Sequence, residues 1–168
     1  TNIRYRGGAL YEAEEDRAVF RKEVRLTQKN LVLEADLLRV DLEPRAQAAE
    51  VGTQGIRSMV AEGHVVIEQA GTRAKAERAV LDRRKNTLNL LGPPHPQIER
   101  QGSHRLTAPR ISIVQQPGRP EGRERGVITG SGGPGSFAFL PREAANAPAV
   151  GRRDDIAVES KAIRIRYD

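Results

Sequence analysis

Apolar and polar residues alternate with a period of two along most of this chain, and the alternation repeats. Val24, Leu26, Leu33, Ala35, Leu38 and Val40 are matched by Val65, Ile67, Ala74, Ala76, Ala79 and Leu81, each 41 positions further on. Polar and turn-forming positions keep the same offset: Gln28 and Gln69, Asn30 and Gly71, Asp36 and Glu77, Asp41 and Asp82. Period two marks a strand with one buried face. Lys29-Asn30 and Ala70-Gly71 predict hairpin turns, because Asn and Gly reach positive φ at little cost. The return strands are expected over Leu31–Leu42 and Thr72–Asp82.

Each return strand changes phase once. Leu31, Leu33 and Ala35 occupy odd positions, then Leu38, Val40 and Leu42 even ones; Ala74 and Ala76 give way to Ala79 and Leu81. Such a switch marks a bulge or bend. Its recurrence in both copies predicts strands that begin in one sheet and end in another. A helix over residues 73–84 competes, on their Ala, Arg, Lys and Glu content. The repeat opposes it, because this segment must share the shape of Leu31–Leu42. Helical repeats of this period need two helices per unit, which Val65-Val66-Ile67 does not suit. Gly63-His64 imitates half of a propeller-blade signature, but with no Trp and only two clean copies that reading is set aside.

Downstream the theme loosens. Residues 87–91 predict a strand stopped by Gly92-Pro93-Pro94. Residues 97–100 and 105–114 predict a third hairpin, with Pro109 at its phase switch. Short strands are expected at 126–130, 136–140, 156–159 and 162–167, and one strand or two short ones around Gly7-Gly8 at 3–11. Residues 115–125 and 141–155 are Gly/Pro-rich or polar and predict loops. The expected fold is all-β: an elongated, twisted antiparallel β-jelly roll, an open sandwich of repeated hairpins. Residues 1–140 form the jelly roll, 141–155 a flexible linker, and 156–168 terminal strands that complete or extend it.

Composition narrows the chemistry. The 168 residues contain no Cys and no Trp, and only three Phe and three Tyr. Disulfides, thiol nucleophiles and Cys-based metal sites are excluded, and a base-stacking surface for nucleic acid is disfavoured. A formal charge of +6 suits a polyanionic partner. His64, His95 and His104 are isolated, so no metal or cofactor is expected. The Gly-rich segment 131–136 lacks the Gly-Lys-Ser/Thr ending of a phosphate loop. Asp36/Glu77 and Asp41/Asp82 recur by repeat, which suits a repeated structural task better than one reaction. No enzyme is expected. Arg83-Arg84-Lys85 and Arg152-Arg153 are local basic clusters, read either as solvated faces or as a rim for phosphates.

These segments resemble a known family. Residues 20–26 and 60–67 look like its apolar-x-Gly-Asn-Val-x-apolar strand, with Lys22 in place of the usual Gly. Residues 33–38 and 74–79 look like its Ala-Asp/Glu return strand, and 87–93 like its Leu-x-Leu-x-Gly-x-Pro strand. The family is the periplasmic lipopolysaccharide-transport one, LptA-like or OstA-like, with the periplasmic parts of LptC and LptD. The resemblance implies a periplasmic protein, exported by a signal peptide or held by an anchor that this sequence does not contain. It implies a lipid-binding interior, here Val24, Leu26, Leu33, Ala35, Leu38, Val65, Ile67, Ala74, Ala76, Ala79, Leu81, Leu88 and Leu90, in which the alanines leave room for acyl chains. It implies phosphate contacts, for which Arg21, Lys22, Arg25, Arg73 and Lys75 are candidates. Head-to-tail joining, to itself or to other Lpt-type jelly rolls, would use edge strands carrying Ile3, Tyr5, Ile163 and Ile165. The expected function is a non-enzymatic bridge shielding the acyl chains of lipopolysaccharide or a similar envelope glycolipid between two membranes. The alternative is an assembly module of the same fold that binds no lipid.

Overall fold

The computed structural model describes residues 1–28, 30–43, 55–69, 71–100, 104–116, 125–139, 157–160 and 163–167. Among them there are fourteen strands and no helix. These are β1 (Asn2–Arg4), β2 (Ala9–Glu12), β3 (Arg17–Gln28), β4 (Leu31–Leu42), β5 (Ile56–Gln69), β6 (Thr72–Asp82), β7 (Thr87–Leu91), β8 (Gln97–Arg100), β9 (His104–Thr107), β10 (Arg110–Gln116), β11 (Arg125–Ser131), β12 (Gly135–Phe139), β13 (Ala157–Ser160) and β14 (Ile163–Tyr167). Residues 73–82 are therefore strand and 83–84 turn, and the repeat outweighs the segment's helical composition. The expected linker at 141–155 lies outside the described residues.

All pairings are antiparallel, and together they make a two-sheet meander of bent runs. One sheet has the order β1-β3-β4-β5-β6-β8-β9-β12-β13, the other β2-β3-β4-β5-β6-β7-β10-β11-β14. The four long strands β3 to β6 pass through both sheets. The remaining runs do so in two pieces, broken at Gly7-Gly8 between β1 and β2, at Gly92 to Pro96 between β7 and β8, at Ala108-Pro109 between β9 and β10, and at Gly132 to Pro134 between β11 and β12. Gly92-Pro93-Pro94 thus breaks a run without ending it, and β8 continues on the same neighbour, β6. Among the described residues β1 pairs only with β3 and β13 only with β12, so the sheets do not close.

The bends are the predicted phase switches. Pairing of β3 with β4 skips Lys22 and Glu23 on one side and Asp36 on the other. Pairing of β5 with β6 skips Gly63, His64 and Glu77, the same positions one repeat later. Lys22 (φ 63°), Glu23 (φ 46°), Gly63 (φ 76°) and His64 (φ 49°) all take the left-handed conformation. Two such residues opposed to one re-aim the strand, as a bulge does. Gly63 also lies so close to Asp36 that a Cβ there would collide with its carboxylate.

One apolar core fills the angle between the sheets. Leu26, Leu38, Leu90 and Ile111 are wholly buried, and Val24, Val65, Leu106 and Ala108 nearly so. No buried side-chain polar atom lacks a partner among the described residues.

Candidate functional site

A cavity of about 480 Å³ lies between the two sheets, lined in part by their hairpin ends. Its volume falls within the range of ligand-binding clefts, roughly 300–1,000 Å³. Leu31, Leu33 and Ile67 line it from one sheet, Met59, Ala61, Ala79, Leu81 and Leu88 from the other. The rim is polar. Gln28, Asn30 and Gln69 belong to the hairpin ends of the first sheet, Arg83 and Asn86 to the β6–β7 turn at the end of the second, and Thr87 to the start of β7. The Arg83 guanidinium donates a long hydrogen bond (3.4 Å) to Oε1 of Gln28, from one lip to the other.

The repeat explains why there is space here. Phe20 and Leu38 are cross-strand partners in β3 and β4. The equivalent pair one repeat later is Ala61 and Ala79 in β5 and β6. Small residues therefore face the interior in the second copy where large ones fill it in the first.

The thirteen expected interior residues are placed as follows. Val24, Leu26, Leu33, Ala35, Leu38, Val65, Ile67, Ala74, Ala79 and Leu90 are buried in the core. Ala76, Leu81 and Leu88 are partly buried and packed against it. Of this set, Leu33, Ile67, Ala79, Leu81 and Leu88 border the cavity. Ala35, Ala74 and Ala76, offered as room-making residues, are not among the lining residues. Met59 and Ala61 do line it and were not foreseen, although continuing the alternation back from Val65 across Gly63 reaches both.

The five phosphate candidates do not gather at this mouth. Arg21, Lys22, Arg25, Arg73 and Lys75 are exposed, and none lines the cavity. Arg25 pairs with Glu34 (3.1 Å) and Arg73 with Glu68 (3.3 Å) on strand faces turned away from the core. Parity explains the misplacement: on a strand, neighbours of an inward residue point outward. Among the described residues, the cation that does reach the mouth is Arg83, which comes from a turn, where alternation carries no information.

The recurring carboxylates work at bends and turns. Asp36 Oδ2 lies 2.8 Å from Nδ1 of His64, and this contact holds the imidazole pKa above its ordinary value. Asp41 accepts from Nε of Arg17 (2.8 Å) and from the Ser58 hydroxyl (2.7 Å). Burial pushes the Asp41 carboxyl up, but these hydrogen bonds outweigh it and hold the group below its ordinary value. Asp82 Oδ1 accepts from the Lys85 backbone N–H at the β6–β7 turn (3.2 Å). Burial, with Arg100 nearby, holds the His104 imidazole below its ordinary pKa.

Among the described residues both sheet margins are open. Ile3 lies on β1 and Tyr5 just beyond it, with the Tyr5 ring against Phe20 (centroids 5.4 Å apart). Leu10 and Tyr11 on β2, together with Tyr5, are large apolar residues left exposed on this margin. At the far margin Ile163 and Ile165 of β14 pair through their backbones with Gly130 and Ile128.

The family described as LptA/(LptD N-terminal domain) LPS transport protein matches residues 9–119. This chain belongs to that family. The match takes in both copies of the repeat, every bend from β3 to β10 and all residues lining the cavity. No curated protein sequence matches significantly. Among solved structures the chain is similar to LptH of Pseudomonas aeruginosa, described as the LptA-homologous periplasmic component of the conserved lipopolysaccharide transport device. That likeness has a TM-score of 0.54 at 14% identity, over 66% of this chain and 73% of LptH. It supports the open β-jelly roll. The family is one of transport proteins, and among the described residues no helix is long and apolar enough to cross a membrane.

Proposed function

We propose that this chain is a periplasmic, non-enzymatic carrier that holds the acyl chains of lipopolysaccharide, or a similar envelope glycolipid, between its two sheets. The observation that carries this reading is the cavity: apolar inside, polar at the rim, and placed where the repeat substitutes Ala61 and Ala79 for Phe20 and Leu38. Each CH2 moved from water into such a space gains about 0.8 kcal/mol, so a saturated chain is a strong ligand and its sugars stay in solvent. The bridge would be continued by strand pairing at the open margins, joining copies of this chain or other jelly rolls of the family head to tail. Ile3 and Tyr5 would serve at one end and Ile163 and Ile165 at the other. A heterologous joint of this kind propagates without closing into a ring.

A photoreactive residue at Leu33 or Ile67, both on the cavity wall, tests the reading against Glu34 and Glu68, which are exposed. Crosslinking to lipopolysaccharide from the first pair alone is the expected result. Silence at all four positions in folded protein would favour the second reading, an assembly module. The feature behind that alternative is the cluster of exposed Tyr5, Leu10 and Tyr11 on the N-terminal margin.

A further inference from the structure

We infer that Arg83 is the headgroup anchor of this cavity: it takes the phosphate of an amphiphile whose acyl chain lies between the sheets. The inference rests on the carrier reading and adds to it which end of the lipid sits where. Three observations support it. Arg83 is a cation on the cavity wall, within the same lining as Leu81 and Leu88, so a group bound to it is continuous with a chain inside. Arg83 lies in the β6–β7 turn, and its surroundings differ from those of four strand-borne arginines. Arg17, Arg25, Arg73 and Arg78 each lie within ion-pair distance of a carboxylate, Asp41, Glu34, Glu68 and Glu62 respectively. Among the described residues Arg83 has no carboxylate within that distance, and its side chain is met by the neutral Gln28 amide at 3.4 Å. A phosphate oxygen makes a shorter, charge-assisted bond to a guanidinium, and its two oxygens match the guanidinium fork. It would displace Gln28 with a net gain.

The third observation is the company Arg83 keeps. Arg84 and Lys85 follow it in the same turn, and although Asp82 lies 3.9 Å from the Lys85 ammonium, the turn keeps a net positive charge. Asn86 stands on that lip and Gln28, Asn30 and Gln69 on the opposite one, with amide donors for the remaining phosphate or sugar oxygens. An anionic headgroup at the lip and a chain running toward Ala61 and Ala79 satisfies both ends of the cavity. A neutral amphiphile satisfies only the interior.

The test is displacement of a hydrophobic fluorescent dye from the purified chain by dodecyl phosphate and by dodecyl maltoside. These share a chain and differ in head charge, and both are used below their micellar concentrations. In R83Q the affinity for dodecyl phosphate should fall about tenfold or more. Affinity for the maltoside should stay within about twofold, which also reports that the variant is folded. R83K should keep part of the phosphate affinity, and K75Q, at an exposed site outside the cavity, should keep nearly all of it. An unchanged phosphate affinity in R83Q, or an equal loss for both amphiphiles, would overturn the anchor while leaving the carrier standing. Failure of both amphiphiles to displace the dye from the unaltered chain would overturn the carrier reading and the anchor with it.

Discussion

Ala61 and Ala79 stand directly opposite each other on β5 and β6, at the place in the repeat where β3 and β4 oppose Phe20 with Leu38. The difference is side-chain volume in an otherwise equivalent frame. Restoring the larger residue in the second copy should therefore fill the cavity without disturbing the sheets. A79L is expected to raise stability by about 1–2 kcal/mol, since it adds three carbons to an apolar space at roughly 0.8 kcal/mol each, less some strain. Dye binding should fall sharply. Urea unfolding and dye titration of the same sample check both, and a destabilised A79L that still binds dye would refute this account of the space. L90A, in the closed part of the core, should by contrast cost about 3–5 kcal/mol.

The bends offer a test of backbone strain. Lys22 occupies the position that Gly63 occupies one repeat later, and both have positive φ. A non-glycine residue in the left-handed region costs roughly 1–2 kcal/mol. K22G removes that strain but loosens the unfolded chain, so a net gain of about 0.5–1 kcal/mol is expected. G63A should lose more than this, because its new methyl meets the Asp36 carboxylate as well as an unfavourable φ. Denaturant midpoints of the two variants should move in opposite directions.

How far the sequence reaches is visible at these same residues. The repeat is legible because strands impose a strict period of two, and a bend must break it at one spot in each copy. Asp36 and Glu77 could be assigned a structural task for the same reason. Alternation also indicated which of Val24 to Leu90 face inward. It could not foresee that β7 and β8 are one interrupted run, because Gly92-Pro93-Pro94 reads locally as a stop and only pairing of both pieces with β6 joins them. Nor could it bring Arg83 to the mouth. That depends on where a turn lands relative to a hairpin some fifty residues earlier, a tertiary relationship with Gln28 that no local pattern encodes.

The histidines should titrate apart. His64 is held above its ordinary pKa of 6.5, chiefly by its hydrogen bond with Asp36 and also by the Asp36 and Glu77 charges. Its favourable contribution to stability is complete below 6.5 and is lost as pH rises through the folded-state value. His104 is shifted the other way by burial, with Arg100 adding to it. Its effect is the reverse: stability is complete above 6.5 and declines as pH falls toward the folded-state value, because the unfolded chain then binds more protons. An NMR titration should place the His64 midpoint above 6.5 and that of His104 below it. D36N should move His64 down and leave His104 in place. If D36N left His64 where it was, the contact across the bend would not be the cause of its shift.

The N-terminal margin should govern self-association. An exposed strand edge is a template for pairing, and natural proteins commonly guard such edges with charge. Here β2 instead leaves Leu10 (55% exposed) and Tyr11 (45%) in solvent. L10K introduces a guarding charge at a site with little packing to lose, so the unfolding free energy should change by less than about 0.5 kcal/mol. If this margin is one half of a head-to-tail joint, sedimentation of the unaltered chain should show average mass rising with concentration, and L10K should flatten that rise. Mixing equal amounts of both forms adds a directional control. L10K retains an intact C-terminal margin, so it should cap growing chains and shorten them more than dilution alone would. Equal association of L10K and the unaltered chain would remove the N-terminal margin from the joint.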